Sequence, residues 1–374
     1  MKLNIHIIGT RGWSYAGAED LVREFGPRLI RDGHKVTIHA WGTNETDEKG
    51  VASDIIQNGV IRIFHKTNYG KYTGQFFIAM KSTWSATFSD ADIIYYSFIQ
   101  NGIYSWLPRL FGKKIFINVN GIMWKDPKWP PIFRHTFFPI GVYLCWFFGN
   151  KIITDSYHMA KLYKEKFFLD IDWAGYGCSD EIPHKQHIDL CDKYPQGYYI
   201  IMSRQTPHNL TDIIVDGFIK SGSQHPLLIA GHIPTNRWFT RLQKRAKGKN
   251  VYWLGLIKDQ EYLSQVLLNA KAYLHGHSLG GINPALVRVT GMEIPTIAVD
   301  TIFNREVLEN PNGKLQACLF QKSTSSVATA INEFETNEVT YIKKAKELSG
   351  TVRKTMSWEI IYQQYKKYFY EILK

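Results

Sequence analysis

An alternation of short apolar runs with helically spaced ones, occurring twice along the chain, restricts the fold more than any other feature. Leu3-Ile5-Ile7-Ile8 is a brief apolar run that stops at Gly9, the pattern of a buried strand. Leu21, Val22, Phe25 and Leu29 then recur at helical spacing over 19–31. Asp32-Gly33-His34 makes a turn into the next strand, Val36-Thr37-Ile38. Further strands are expected at 60–64, 93–96, 114–119 and 151–154, with helices between them. Strand–helix alternation of this kind predicts a parallel, doubly wound α/β sheet. The stretch 180–195 is polar, carries two prolines and reads as a linker. The pattern then restarts with strands at 199–202, 227–230, 251–254, 272–274 and 296–298. Two Rossmann-like domains are expected, over 1–180 and 195–355, with a last helical segment at 356–374. Ligands of such sheets sit beyond the carboxyl ends of the strands, so chemistry is sought in the loops that follow them.

Composition narrows the partners. Of 374 residues, 45 are Lys or Arg and 33 are Asp or Glu, and the formal charge of +12 predicts an acidic partner. No nucleic-acid motif accompanies the charge, so nucleic acid is not expected. The uncharged stretch 136–150 is interrupted by Pro139 and Gly141 and falls short of the ~20 residues of a membrane span. Met1-Lys2-Leu3-Asn4-Ile5-His6 turns glycine-rich too soon for a secretory signal. Cys145, Cys178, Cys191 and Cys318 have no metal or framework spacing and read as reduced thiols, which points to the cytoplasm.

Four post-strand loops hold candidate chemistry. Gly9-Thr10-Arg11-Gly12-Trp13-Ser14-Tyr15-Ala16-Gly17-Ala18-Glu19 joins the first strand to the first helix. Its amides could hold phosphate or sugar, or form a tight turn with no ligand. It is not a dinucleotide fingerprint, because Arg11 stands where that pattern needs its second glycine. In Ser203-Arg204-Gln205-Thr206-Pro207-His208-Asn209, Arg204 is placed either to clamp a diphosphate or to sit in an ordinary surface turn. His275-Gly276-His277-Ser278-Leu279-Gly280-Gly281-Ile282-Asn283-Pro284 opens a short helix and suits an anion or sugar site. Its two histidines have no third ligand beside them, so no metal is expected. In the loop and helix after 296–298, Glu306 could accept hydrogen bonds from sugar hydroxyls or be a solvated carboxylate at a helix start.

A fifth segment mixes aromatic and basic residues, Trp124-Lys125-Asp126-Pro127-Lys128-Trp129 through Ile132-Phe133-Arg134-His135. That mixture suits a membrane interface, whereas 137–148 reads as a buried helix.

Together, His277-Ser278-x-Gly280-Gly281-x-Asn283-Pro284 and Pro295-x-Ile297-Ala298-x-Asp300-x-x-Phe303-Asn304-Arg305-Glu306-Val307-Leu308 resemble family 4 nucleotide-sugar glycosyltransferases. The likeness is greatest to the bacterial rhamnosyltransferase branch. Ile8-Gly9-Thr10-Arg11-Gly12, Gly17-x-Glu19, Pro27-Arg28-Leu29 and Asn118-Val119-Asn120-Gly121-x-x-Trp124-Lys125 resemble the same branch in the same order. The resemblance implies a GT-B fold: two Rossmann-like domains facing across a cleft, with a C-terminal helix crossing back to the first. It implies metal-independent transfer of a hexosyl group with retention, plausibly rhamnose from dTDP-rhamnose, to a lipid-linked or polysaccharide acceptor. No cofactor is implied, the nucleotide-diphosphate sugar being a co-substrate, and a peripheral position on an anionic membrane face would serve a lipid acceptor. Carried over by position, Arg204, His277 and Asn283 would be catalytic. Gly17, Asn209, Gly280, Gly281, Ile282, Arg288 and Glu306 would join Arg204 and Asn283 around the donor. Arg11, Gly12, Trp13, Asn120 and Trp124 would meet the acceptor. The family's paired glutamates, separated by seven residues, correspond here to Gly280 and Arg288, and its lysine five after the arginine to Asn209. Those departures leave a second reading, a scaffold of the same fold that binds a saccharide or a partner subunit without catalysis.

Overall fold

Each of the two strand–helix series builds its own sheet. A computed structural model describes residues 2–10, 18–41, 56–65, 73–126 and 129–374. It divides into a first unit, Met1–Gly175 with Ile361–Lys374, and a second, Tyr176–Ile360.

The first unit runs β1 (Asn4–Thr10), α1 (Ala18–Arg31), β2 (Lys35–Trp41), β3 (Ile56–Gln57), β4 (Val60–His65), α2 (Thr73–Thr87), β5 (Ile93–Ser97), α3 (Ile99–Gly102) and α4 (Trp106–Leu110). It continues with β6 (Lys114–Asn118), α5 (Phe138–Phe148), β7 (Lys151–Thr154), α6 (Tyr157–Phe167) and β8 (Asp172–Trp173). The sheet order is β3-β4-β2-β1-β5-β6-β7-β8, parallel except for β3 against β4. Ile5, Ile93, Ile94, Ile115, Phe116 and Ile117 are all shut away from solvent, as expected of parallel strands covered on both faces.

On one face the cover is α1 with the end of the chain. Phe25 of α1 meets Tyr365 edge-on at 4.6 Å, and Phe369 packs on Phe116 at 4.9 Å. Asn118 donates to the Tyr365 hydroxyl at 2.8 Å, and Asp32 accepts from Tyr362 and Lys366. The Lys366 bond, then the Tyr362 bond, hold the Asp32 carboxyl below the usual carboxylate range. On the other side α4 packs against both α2 and α5.

A row of three histidines crosses β1, β2 and β4, a feature that periodicity does not reveal. His6 Nδ1 lies 3.0 Å from His39 Nε2, and His39 Nδ1 lies 2.9 Å from His65 Nε2. Burial lowers all three pKa values, that of His6 to about 4. Each neutral ring has one N–H and one bare nitrogen, so the row can be satisfied end to end without a charge.

The aromatic segment departs from its expected role. Trp124 and Trp129 are buried: Trp124 stands edge-on to Tyr163 and Phe167, and Trp129 packs on Phe138 at 5.2 Å. These rings fill core instead of facing a membrane. Conversely α5, expected to be buried, leaves Ile140, Tyr143, Trp146 and Phe147 in solvent. Pro127 and Lys128 lie outside the described residues.

The second unit runs α7 (Asp189–Lys193), β9 (Tyr199–Met202), α8 (Thr211–Ser221), β10 (Leu227–Ala230), α9 (Arg237–Ala246), β11 (Val251–Gly255), α10 (Gln260–Leu268) and β12 (Ala272–His275). There follow α11 (Pro284–Gly291), β13 (Thr296–Val299), α12 (Ile302–Leu308), β14 (Cys318–Phe320), α13 (Thr324–Thr336), α14 (Glu338–Met356) and α15 (Trp358–Glu371), which passes into the first unit from Ile361. Its sheet is wholly parallel, in the order β11-β10-β9-β12-β13-β14. The stretch read as a linker is instead pinned to α10. Gln186 N donates to Gln265 Oε1 at 2.8 Å, Gln265 Nε2 donates to the His184 carbonyl at 2.9 Å, and Tyr262 donates to Asp189. Its polar composition serves these bonds.

Among the described residues, no helix is long and apolar enough to cross a membrane.

Candidate functional site

The order of the second sheet locates the site. The chain moves outward from β9 to β10 and β11, then returns to place β12 on the other side of β9. Between β9 and β12 the strand order reverses, and sheets of this kind take their ligands beyond the carboxyl ends of the strands at such a point. The loops leaving these two strands are the ones that hold Arg204–Asn209 and His275–Asn283.

The two loops are fastened to one another. A Cβ on Gly276 would lie 2.0 Å from the Asn209 carbonyl oxygen, so only glycine permits this approach. Ser278 donates to the His208 carbonyl twice, from its amide at 3.1 Å and its hydroxyl at 2.9 Å. His277 Nδ1 is 3.0 Å from Asn209 Oδ1, and Asn209 Nδ2 donates to the Arg204 carbonyl at 2.7 Å. From the β13 side, Asn304 donates to the His277 carbonyl at 3.2 Å and the Val299 carbonyl at 2.8 Å. Three loops thus become one platform, with the exposed Arg204 on it.

The electrostatics follow from burial. His277 has its pKa lowered to about 4, by burial first, then by repulsion from His208 and Arg204. Beneath it, burial and His277 lower His275 to about 3; its Nδ1 meets the Tyr273 hydroxyl at 3.1 Å. At neutral pH the His277 ring therefore carries one N–H, which donates either from Nδ1 to Asn209 Oδ1 or from Nε2 to the Gly280 carbonyl 3.3 Å away, according to the tautomer. Arg204 is a permanent charge on the platform.

Gly280 (φ 71) and Gly281 (φ 55) are consecutive positive-φ residues, a backbone that glycine adopts readily and other residues rarely. Ile282 is buried behind them. Asn283 caps α11 by accepting from Ala285 N at 2.9 Å, with Pro284 in the first turn. Asn283 is therefore fixed as the start of a helix whose positive end faces the loop.

The remaining predicted residues are placed as follows. Glu306 is half-buried on α12. Its neighbour Arg305 is engaged elsewhere, bidentate to Asp300 at 2.6 and 3.0 Å and bonded to Glu309. Arg305 holds the Asp300 carboxyl below the usual range. Arg288 does not simply project from α11: its guanidinium donates to Gln260 Oε1, the Gln260 carbonyl and Ser264 Oγ, all on α10. Asn120 and Trp124 are buried in the first unit, past the end of β6. Arg11, Gly12, Trp13 and Gly17 lie outside the described residues. Sequence reasoning missed Gly276 and Asn304, which shape the site without offering obvious chemistry. Among the described residues no group of three or more His, Cys, Asp or Glu side chains is arranged to hold a metal ion.

Two parallel α/β units, the second with a switch-point platform of this kind, define the GT-B fold. No protein-family model matches the chain, and no curated protein matches it in sequence. Among solved structures it is similar to a sucrose-phosphate synthase from Thermosynechococcus elongatus, with a TM-score of 0.83 and 14% identity, covering 100% of this chain and 99% of that one. HepE of Anabaena, solved with UDP and glucose, superimposes with a TM-score of 0.77 at 14% identity, covering 99% of this chain and 100% of that one. A glycosyltransferase from Rickettsia africae gives a TM-score of 0.74 at 14% identity, covering 100% and 99%.

Proposed function

We propose that the chain is a nucleotide-sugar glycosyltransferase whose donor diphosphate sits on the platform between β9 and β12. The observation that carries this reading is the locking of the Arg204 loop to the Gly280-Gly281 loop at the switch point of the second sheet. An arginine and loop amides suit a diphosphate, and they would stabilise the negative charge that grows on it as the glycosidic bond breaks. Asn209 and His277 hold the loops in register, and Asn283 presents the amino terminus of α11. Glu306 is assigned to the nucleotide's hydroxyls. HepE, a neighbour in fold, holds UDP and glucose in its structure, which supports a nucleotide-sugar donor here. We further propose a rhamnosyl donor, retention of configuration and a lipid-linked or cell-surface saccharide as acceptor, received by the first unit near Asn120 and Trp124. These finer assignments rest on the motif resemblance.

A thermal-shift panel of dTDP-, UDP- and GDP-sugars tests the donor. A ligand at about 100 times its dissociation constant adds about 2.7 kcal/mol of stability, and silence across the whole panel would reject the donor site. Arg204→Ala should weaken binding of the responding nucleotide by about 1.5–3 kcal/mol, the worth of a hydrogen bond to a charged group, while the melting curve without ligand stays in place. Calorimetry showing equal affinity would remove Arg204 from the site.

One observation favours the non-catalytic reading. Arg288 stands where the family carries a glutamate, and α10 holds it with three hydrogen bonds. Arginine has no acceptor to offer a ribose hydroxyl. If Arg288→Glu confers nucleotide-sugar binding on a protein that lacked it, the binding-module reading wins. If it weakens a binding already present, the enzyme reading stands.

A further inference from the structure

Between Lys66 and Thr154 the chain has ten Lys or Arg residues and only three acids, Asp90, Asp92 and Asp126. None of the three lies on α2, α4 or α5, although Asp90 and Asp92 are exposed in the connection between α2 and β5. Asp92 accepts from the Asn4 amide at 2.8 Å, Asp90 lies 4.0 Å from Lys35 Nζ, and Asp126 is buried. The charges of α2, α4 and α5 themselves are therefore only basic, Lys81 and Arg109, and both are exposed.

The same helices are apolar to an unusual degree. In α5, Phe138, Gly141, Val142 and Cys145 face the core, while Ile140, Tyr143, Trp146 and Phe147 form a second stripe in solvent, Phe147 at 72% exposure. A helix that is apolar all round belongs between two apolar media, and the fold supplies only one. The stripe is continued by its neighbours. Trp84 of α2, 62% exposed, packs on Phe88, and Phe88 packs on Phe111 just after α4. Arg109 donates to Asn150 Oδ1 at 2.7 Å and so ties the end of α4 to the end of α5.

Phe168 adds an independent sign. It lies beside the Phe167 carbonyl that Tyr143 of α5 bonds, is 88% exposed, and ends α6 in the left-handed conformation (φ 57). Glycine is the usual occupant of such a cap, so a fully exposed phenylalanine there is unfavourable twice over.

We propose that this face seats on an anionic bilayer, with the aromatic rings at the boundary of headgroups and acyl chains and the basic residues among the phosphates. A second copy of the chain is the poorer occupant, because a two-fold contact sets a patch against itself and would oppose basic residues to basic residues. The inference stands on the first unit alone and is independent of the donor proposed above.

Flotation of the full chain with phosphatidylcholine vesicles, with and without phosphatidylglycerol, tests it at low and high salt. Binding is expected to the anionic vesicles, to weaken with salt, and to fall at least about tenfold in Trp84→Ser/Phe147→Ser, the effect of withdrawing buried aromatic surface. Phe168→Gly separates binding from folding: it should raise the melting temperature by relieving the left-handed residue, yet lower vesicle binding. The proposal is overturned if the chain floats equally with neutral and anionic vesicles, or with neither. It is overturned too if the substitutions leave binding unchanged, or if light scattering shows a dimer that Trp84→Ser/Phe147→Ser dissolves.

Discussion

Gly276→Ala should part the two loops of the candidate site and abolish nucleotide binding. The added carbon would sit 2.0 Å from the Asn209 carbonyl oxygen and 2.7 Å from Ile214 Cδ1. Neither the backbone carbonyl nor the core contact can yield without moving the β9 loop, so Ser278 and His277 lose their partners together. The expected cost is about 3 kcal/mol, at the upper end for overpacking a native site. A urea midpoint for the second unit would show it, and calorimetry with the responding nucleotide would show no heat. Gly350→Ala is the matched control. Gly350 lies inside α14 with nothing within 4 Å of an added carbon, so alanine should stabilise by about 0.5–1 kcal/mol. If Gly276→Ala melts and binds like the parent chain, the platform is not built as described.

The second large effect is expected in acid. Burial lowers His6 and His277 to about 4 and His275 to about 3, whereas the same rings in the unfolded chain titrate near 6.5. As pH falls below about 6.5 the unfolded chain takes up protons that the folded chain refuses, so stability drops until the folded rings themselves protonate near pH 3–4. Shifts of this size are worth roughly 3–5 kcal/mol for each buried ring. His6 weakens the first unit, with Asp90 partly offsetting and Lys113 reinforcing the loss. His275 and His277 weaken the second, where Arg204 and His208 add repulsion. Denaturant midpoints measured from neutral pH down to about pH 4 should fall steadily over this window. Midpoints that stay level would mean that these histidines are solvated or already charged.

The fold was legible because parallel strands leave a strong trace. Continuous apolar runs such as Tyr199-Ile200-Ile201-Met202 and Leu227-Leu228-Ile229-Ala230 end where a loop must turn, and each appears as a strand. The loops worth searching follow from the strand–helix alternation, which marks Arg204 and the 275–283 loop as candidates without the strand order. Direction was not legible. Nothing in the spacing of Trp124 and Trp129 says that both rings turn inward, or that the apolar residues of α5 divide between core and solvent. Arg288 was read from its position on α11, and only the fold shows that α10 holds it. The histidine row of β1, β2 and β4 joins residues 26 and 33 positions apart, and register alone brings them together.

The return of the last helix sets the order in which the chain can fold as it is made. Tyr365 and Phe369 complete the packing on Phe25, Tyr95 and Phe116, yet they follow the entire second unit in the sequence. At about 5–20 residues per second, a ribosome needs roughly 10–40 s to pass from Tyr176 to Ile360. Throughout that interval the first-made sheet lacks part of the cover on one face. The unit that begins first is thus completed only after the second has been made, and a nascent chain needs its hydrophobic strands shielded until the returning helix has emerged.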